Sequence, residues 1–539
     1  MSEPELSFLP RLQGSYDRRR TDLQHRFRTN VPTRRKLFIR STLALIVVGA
    51  VALAFRGLGG QVEPAAIAAT VLGVVLVRLA MLRPPTPPHA HGLPGLGEPK
   101  VCPAPEPADR GPFVLTVRWL GAVAALAVAL TAPVVLVWLL VGLLAVAAAV
   151  VIVDKVKVWQ ARRAIRAALT RLEPKFVLAY GGHGGGPIHV GMWEPHLMAS
   201  GDRGAIFSLR EHYCAELRAG IKPKLPWIQV GSDVLGDLRL LAVPSITTFF
   251  YVHNAPGHLK FLGVPTVRHV WLGHGDSDKS GSYHPRHLRY DVLVASGEAA
   301  IDRYVRNGVD IPRERFVLLG RPQSGDVLPA VTPVTQVARP TVLYAPTWPG
   351  NSKVPDFSSI TLAEQIFAGL IAAGANIIFR PHPVFLRSGK WATTLAKLNE
   401  ILAADTADPN TAGQHLAGEE VVRDWSIADC MNRADALVSD VSSVVSDWLA
   451  SAKPYLMISM VHSLDEFATE VPVAAGAYVV DRHLSSFDAV VDQMLHSDPL
   501  KQQRQELKVR VLGDYEGTES AEAFSAWVHQ TVNTPYLRQ

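Results

Sequence analysis

Ala436-Leu437-Val438-Ser439-Asp440-Val441-Ser442-Ser443-Val444-Val445-Ser446-Asp447-Trp448 starts as a short apolar run, turns, and then takes up helical spacing. The run has the length of a buried strand, and Ser442 and Ser443 fall where a helix opens. Free amides, hydroxyls and the positive end of the helix dipole converge on an anion at such a point. Simple capping needs one hydroxyl residue, whereas two side by side at a strand-to-helix turn point to phosphate.

The same alternation extends in both directions. Upstream, Phe176–Tyr180, Ala205–Leu209, Trp227–Val230, Thr247–Val252, Thr266–Leu272, Asp291–Ala295 and Phe316–Leu319 read as strands, several followed by amphipathic stretches. After a Pro-rich gap from Pro322 to about Pro340 the series resumes with Thr341–Ala345, Asn376–Arg380, Ala436–Ser439, Pro454–Ile458 and Tyr478–Val480. Strands alternating with helices predict parallel α/β sheets in two halves, 173–330 and 331–539, the second ending in a closing helix over about Glu519 to Val532. Ligands of such sheets sit at the carboxyl ends of the strands, which puts the expected site in the cleft between the halves.

Three further clusters fall at those ends. His274-Gly275-Asp276-Ser277-Asp278-Lys279-Ser280 follows Thr266–Leu272. A histidine there can take a hydroxyl proton near neutral pH, and Gly275 lets backbone approach a ligand closely. Arg380-Pro381-His382-Pro383 follows Asn376–Phe379, and Thr347 lies in Ala345-Pro346-Thr347-Trp348. Arginine offers a fork of donors matched to phosphate oxygens, histidine adds another, and the prolines stiffen the turn that aims them. A capped loop or a rigid turn with no ligand is the bland reading of each cluster taken alone.

No Gly-x-x-x-x-Gly-Lys-Ser/Thr phosphate loop occurs. Tyr180-Gly181-Gly182-His183-Gly184-Gly185-Gly186 lacks a dinucleotide fingerprint, so His183 and His189 read equally as ligand contacts and as incidental loop histidines. Cys102, Cys214 and Cys430 share no short spacing, which excludes a disulfide framework and a cysteine zinc cluster as first readings.

The N-terminal third has a different composition. The chain's 54 Lys+Arg and 48 Asp+Glu divide at Lys175 into 23 and 10 before the cut and 31 and 38 after it. The positive excess therefore flanks apolar runs instead of marking a nucleic-acid surface, and no nucleic-acid partner is expected. Leu37–Phe55 and Ala65–Leu82 have spanning length. Trp119–Val153, about 35 apolar residues and roughly 52 Å as helix, suits two close-packed spans bent near Pro133.

The expected organisation is a basic tail (1–36), a four-helix transmembrane region (37–156, with spans at about 37–55, 65–82, 117–133 and 134–153) and a basic linker (157–172). A buried helical bundle is the alternative. Arg83–Pro112, with Pro84-Pro85-Thr86-Pro87-Pro88, reads as an extended spacer between the two hairpins. About 36 polar, Arg-rich residues precede the first run, so no cleaved signal peptide is expected. The basic flanks put the N-terminus and the α/β region on the cytoplasmic side of the cell membrane.

Taken together, the Arg380 and Asp440 clusters, their order and the His274 loop resemble the CDP-glycerol glycerophosphotransferase family, which builds glycerol-phosphate, teichoic-acid-like polymers. The resemblance spans about Phe176 to Ala521 and is strongest over Val267–Gly320 and Asn376–Tyr455. It implies a GT-B fold of two Rossmann-like domains, with CDP-glycerol as donor and CMP as leaving group. His274 matches the family's candidate general base. Arg380 and His382 match its Arg-Pro-His-Pro element, and Asp440, Ser442 and Ser443 match its Asp-x-Ser-Ser element, both implicating the donor pyrophosphate. Here Leu272-Gly273 precede the histidine, Gly275-Asp276 follow it and Trp271 is displaced.

The implied catalytic set is His274 and His382. The substrate-binding set is Arg380, Asp440, Ser442, Ser443, Gly275, Asp276, Ser277, Lys279 and Thr347. No cofactor is required, although the chemistry leaves room for magnesium arriving with the nucleotide. The expected acceptor is a lipid-linked polyol-phosphate or glycan at the membrane. Rival readings are a CDP-ribitol-type transferase, a GT-B glycosyltransferase using a nucleotide-sugar, and an inactive membrane scaffold.

Overall fold

The computed structural model describes residues 86–96, 134–182, 186–209, 222–240, 242–273, 282–350, 355–387, 389–411 and 413–536. Strand β1 is His89–His91. The first half then contributes β2 (Phe176–Tyr180), β3 (Gly204–Ser208), β4 (Trp227–Gln229), β5 (Thr248–Tyr251), β6 (Arg268–Trp271), β7 (Val292–Ala295) and β8 (Phe316–Leu318). The second contributes β9 (Thr341–Ala345), β10 (Asn376–Phe379), β11 (Ala436–Ser439), β12 (Tyr455–Ser459) and β13 (Tyr478–Asp481).

The first sheet runs β1-β4-β3-β2-β5-β6-β7-β8 and the second β10-β9-β11-β12-β13. All pairings are parallel except that of β1 with β4. Strand order reverses at β2/β5 in one sheet and at β9/β11 in the other. The expected pair of Rossmann-like sheets is present, the architecture of a GT-B-like fold.

Both sheets are buried on both faces. Phe176, Leu178 and Tyr180 of β2 enter one apolar cluster and Val177 and Ala179 another; in β11, Ala436 and Val438 separate from Leu437 in the same way. This period-2 partition of near-continuous apolar runs is what a helix-covered parallel sheet requires. The helix Glu519–Asn533 packs on the first sheet, not the second. Its Phe524, Val528 and Val532 join the cluster of Phe176 and Leu178. Its end is held there by Thr247 Oγ1 donating to the Val532 carbonyl at 2.6 Å and Arg268 Nη1 to that of Thr531 at 2.7 Å.

The reading of Arg83–Pro112 as a plain spacer is corrected in part. His89–His91 forms an antiparallel edge strand on β4, Leu93 is buried, and Arg171 Nη2 donates to the Pro94 carbonyl at 2.8 Å. Proline at an edge costs no central-ladder hydrogen bond, so a Pro-rich segment can dock where it could not continue inward.

Of the four apolar runs, those at about 37–55, 65–82 and 117–133 lie outside the described residues. Val134–Leu172 is one continuous helix that runs through the stretch read as a basic linker. Its last turns bury Ile165, Ala168 and Leu169 against the first domain, and Arg162 bonds Asp237 at 2.7 Å and Asp233 at 3.0 Å. Among the described residues no helix is long and apolar enough to cross a membrane.

Candidate functional site

Because β10, β9 and β11 are neighbours, the three loops that leave their carboxyl ends lie side by side at the reversal of strand order. Backbone bonds tie them together. Arg380 N–H donates to the Tyr344 carbonyl at 3.0 Å and His382 N–H to that of Pro346 at 3.3 Å. Ser439 Oγ donates to the Ala345 carbonyl at 2.7 Å.

Asp440 is the centre of this arrangement and is fully buried. Its carboxylate accepts from Thr347 N–H at 3.0 and 3.2 Å, from Ser359 N–H at 2.8 Å and from Ser359 Oγ at 2.9 Å. Asp440 therefore acts on the neighbouring loops through the backbone it holds, and the Thr347 amide is one of its partners.

The groups able to face an anion lie on these same loops. Ser442 is the N-cap of the helix Ser443–Trp448, its Oγ accepting from Val444 N–H at 3.3 Å, and Ser443 is half-buried at the first helical position. His382 is exposed, and its Nδ1 accepts from Val384 N–H at 3.2 Å. In the neutral ring that bond leaves the proton on Nε2, which makes His382 a donor at the cleft. Arg380 is partly buried and gives one N–H to the Val421 carbonyl, leaving other donors of its fork for a ligand. Burial lowers its pKa, opposed by Cys430 and Asp429, and burial raises that of the Cys430 thiol.

His274, Gly275, Asp276, Ser277 and Lys279 lie outside the described residues. The strand end that leads to them is well defined. Trp271 stacks on His287, with ring centroids 4.1 Å apart, and on Tyr290 at 5.2 Å. Gly273 adopts φ +75°, and its carbonyl accepts from Trp193 Nε1 at 2.7 Å. His183 also lies outside the described residues. His189 joins buried His253 and His258 and Tyr180 in an aromatic group at the end of β2, and Gly181 closes over it. A Cβ on Gly181 would come within 2.7 Å of the His258 ring.

Sequence reasoning missed the tie between the two halves. Arg321, just after β8, forms a buried ion pair with Asp447 on the helix that Ser442 caps. The pattern Gly320-Arg321-Pro322 carries no local signal for a partner 126 positions away. Among the described residues no group of three or more His, Cys, Asp and Glu is placed to hold a metal ion.

His284 borders the His274 loop and caps the turn Pro285–Arg289 by accepting from Arg286 N–H at 3.0 Å. Burial, with Arg286 and Arg289 adding to it, lowers its pKa to about 4. The unfolded chain then binds the extra proton between about pH 6.5 and 4, so stability is whole above that window and declines as pH falls through it. The expected loss is about 1–2 kcal/mol after discounting for solvent access. His284→Asn keeps a capping acceptor and should flatten that part of the urea-midpoint profile; an unchanged slope would remove His284 as its source.

Residues 289–470 match the family model described as CDP-Glycerol:Poly(glycerophosphate) glycerophosphotransferase. The chain is similar to the wall teichoic acid polymerase TagF at 12% identity, covering 70% of this chain and 95% of that one, with a TM-score of 0.40. It is similar to Acinetobacter baumannii MurG at 9% identity, covering 66% and 99%, with a TM-score of 0.43. A glycosyltransferase from Rickettsia africae matches at 12% identity, covering 66% and 98%, with a TM-score of 0.39. No curated protein sequence matches the chain.

Proposed function

We propose that the chain, whose residues 289–470 match the CDP-glycerol:poly(glycerophosphate) glycerophosphotransferase family model, moves glycerol phosphate from CDP-glycerol to a hydroxyl of a lipid-linked cell-envelope polymer, releasing CMP. The observation that carries the reading is the meeting of Arg380, His382, Ser442 and Ser443 at adjacent strand ends, with Asp440 bonding the loops together.

In this mechanism the acceptor hydroxyl gives its proton to His274 and its oxygen attacks the distal phosphorus of CDP-glycerol in line. The phosphorus–oxygen bond to CMP breaks as the new phosphodiester forms. Arg380, His382 Nε2–H and the hydroxyls and amides at Ser442–Ser443 bind the diphosphate and the charge that gathers on the leaving CMP. Asp440 positions and does not touch phosphate, since a carboxylate beside a diphosphate would repel it. The scheme needs no resident cofactor, and magnesium carried by the nucleotide is compatible with it.

Membrane attachment belongs to the same proposal. Its support is the apolar and basic pattern of residues 1–166. Anchoring a cytoplasmic transferase beside a lipid-linked acceptor raises the local concentration of that acceptor.

The test is to incubate the full chain in detergent with CDP-glycerol and a lipid-linked glycerol-phosphate acceptor, following CMP and acceptor mass. CMP release with mass gains of glycerol-phosphate units is expected. Arg380→Ala should raise the donor KM about 10- to 100-fold, the worth of charge-assisted bonds to phosphate. UDP release from a nucleotide-sugar, with no phosphorus reaching the acceptor, would overturn the reading in favour of a glycosyltransferase.

A further inference from the structure

A small cavity of about 60 Å³ lies at the carboxyl ends of β6, β7 and β8, lined by Trp193, Trp271, Gly273, Arg303, Arg321 and Gln323 among others. Gln323 stands out within it. Both its Oε1 and its Nε2 are buried and have no hydrogen-bond partner among the described residues. A buried amide with both ends unmatched is costly and calls for a ligand that accepts from one end and donates to the other.

Size and walls narrow that ligand. The cavity is small, about 60 Å³, and suits a short polar end group. The neighbouring oxygens of a vicinal diol match the neighbouring oxygen and nitrogen of a carboxamide, one hydroxyl donating to Oε1 and the other accepting from Nε2. Trp193 and Trp271 supply apolar walls for the carbon atoms. The Arg321 charge is already matched by Asp447.

Its position suits the acceptor side. Gly273 lines it one residue before His274, and Arg321 joins it to the helix capped by Ser442. Resting on the transferase reading above, we propose that this cavity receives the terminal vicinal diol of the acceptor's last glycerol unit, with Gln323 as the residue that selects it.

The probe is a soluble two- or three-unit glycerol-phosphate oligomer. It is compared with the same oligomer after periodate cleavage and borohydride reduction, which removes the diol and keeps the phosphates. Binding to the full chain in detergent is followed by saturation-transfer NMR without donor. Wild type should bind the intact oligomer at least 10-fold more tightly than the cleaved one. Gln323→Leu, and the near-isosteric Gln323→Glu as a check against misfolding, should lose that preference while the CDP-glycerol KM stays within about 2-fold.

Equal preference in wild type and variants would overturn the proposal, as would a wild type indifferent to the diol. The two readings fail separately. If diol preference depends on Gln323 but CDP-glycerol is never consumed, the transfer chemistry falls and the subsite stands. If CDP-glycerol is consumed and Gln323 is irrelevant, the reverse holds.

Discussion

Asp440→Ala should lower stability by about 3–5 kcal/mol, because it leaves two buried backbone N–H groups and the Ser359 hydroxyl without their acceptor, each at about 1–3 kcal/mol with some relaxation. Asp440→Asn keeps one acceptor oxygen but turns the other position into a donor facing donors, and should lose about 1–3 kcal/mol. Urea midpoints should therefore run wild type, Asn, Ala in descending order. The donor KM should rise in the same order, since the Thr347 and Ser359 segments lose their register against β11 before the domain unfolds. An Ala variant within about 0.5 kcal/mol of wild type, the ordinary range for a surface change, would show that the loops are held by something else.

His274→Ala should reduce kcat about 10²- to 10⁴-fold, the usual contribution of a positioned general base. The donor KM should hold within a few-fold, because the residues proposed to bind the diphosphate, Arg380, His382, Ser442 and Ser443, belong to the second half of the chain. This split between kcat and KM separates a base on the acceptor hydroxyl from a phosphate ligand, whose loss would raise KM. A variant that keeps full turnover would return the chain to the scaffold reading. One that loses donor binding in parallel would move His274 to the diphosphate.

The extent to which these residues were legible differs from one to the next. Strands β9 to β13 and the loops after β9, β10 and β11 could be read because a buried parallel strand is a contiguous apolar run and its carboxyl end is the next few residues. Ser442 as a cap and Arg380 between a strand and a proline are local facts of the same kind. Asp440 was legible as a motif member, but its buried contacts with Thr347 and Ser359, 93 and 81 positions away, were not. Strand β1 escaped because proline signals a break in an isolated segment, whereas at a sheet edge it is tolerated.

By itself the sequence determined the class of the fold, the order of its strands along the chain and the chemical character of each strand end, since all of these follow from residue type and short-range period. Tertiary structure alone decided the reversals of strand order that bring three loops together, the return of the helix Glu519–Asn533 to the first sheet, and the burial of Gln323 in a cavity beside Arg321. Pairing between distant segments is selected by the free energy of packing whole faces and satisfying every buried polar group, a property of the assembled chain that no window of neighbouring residues contains.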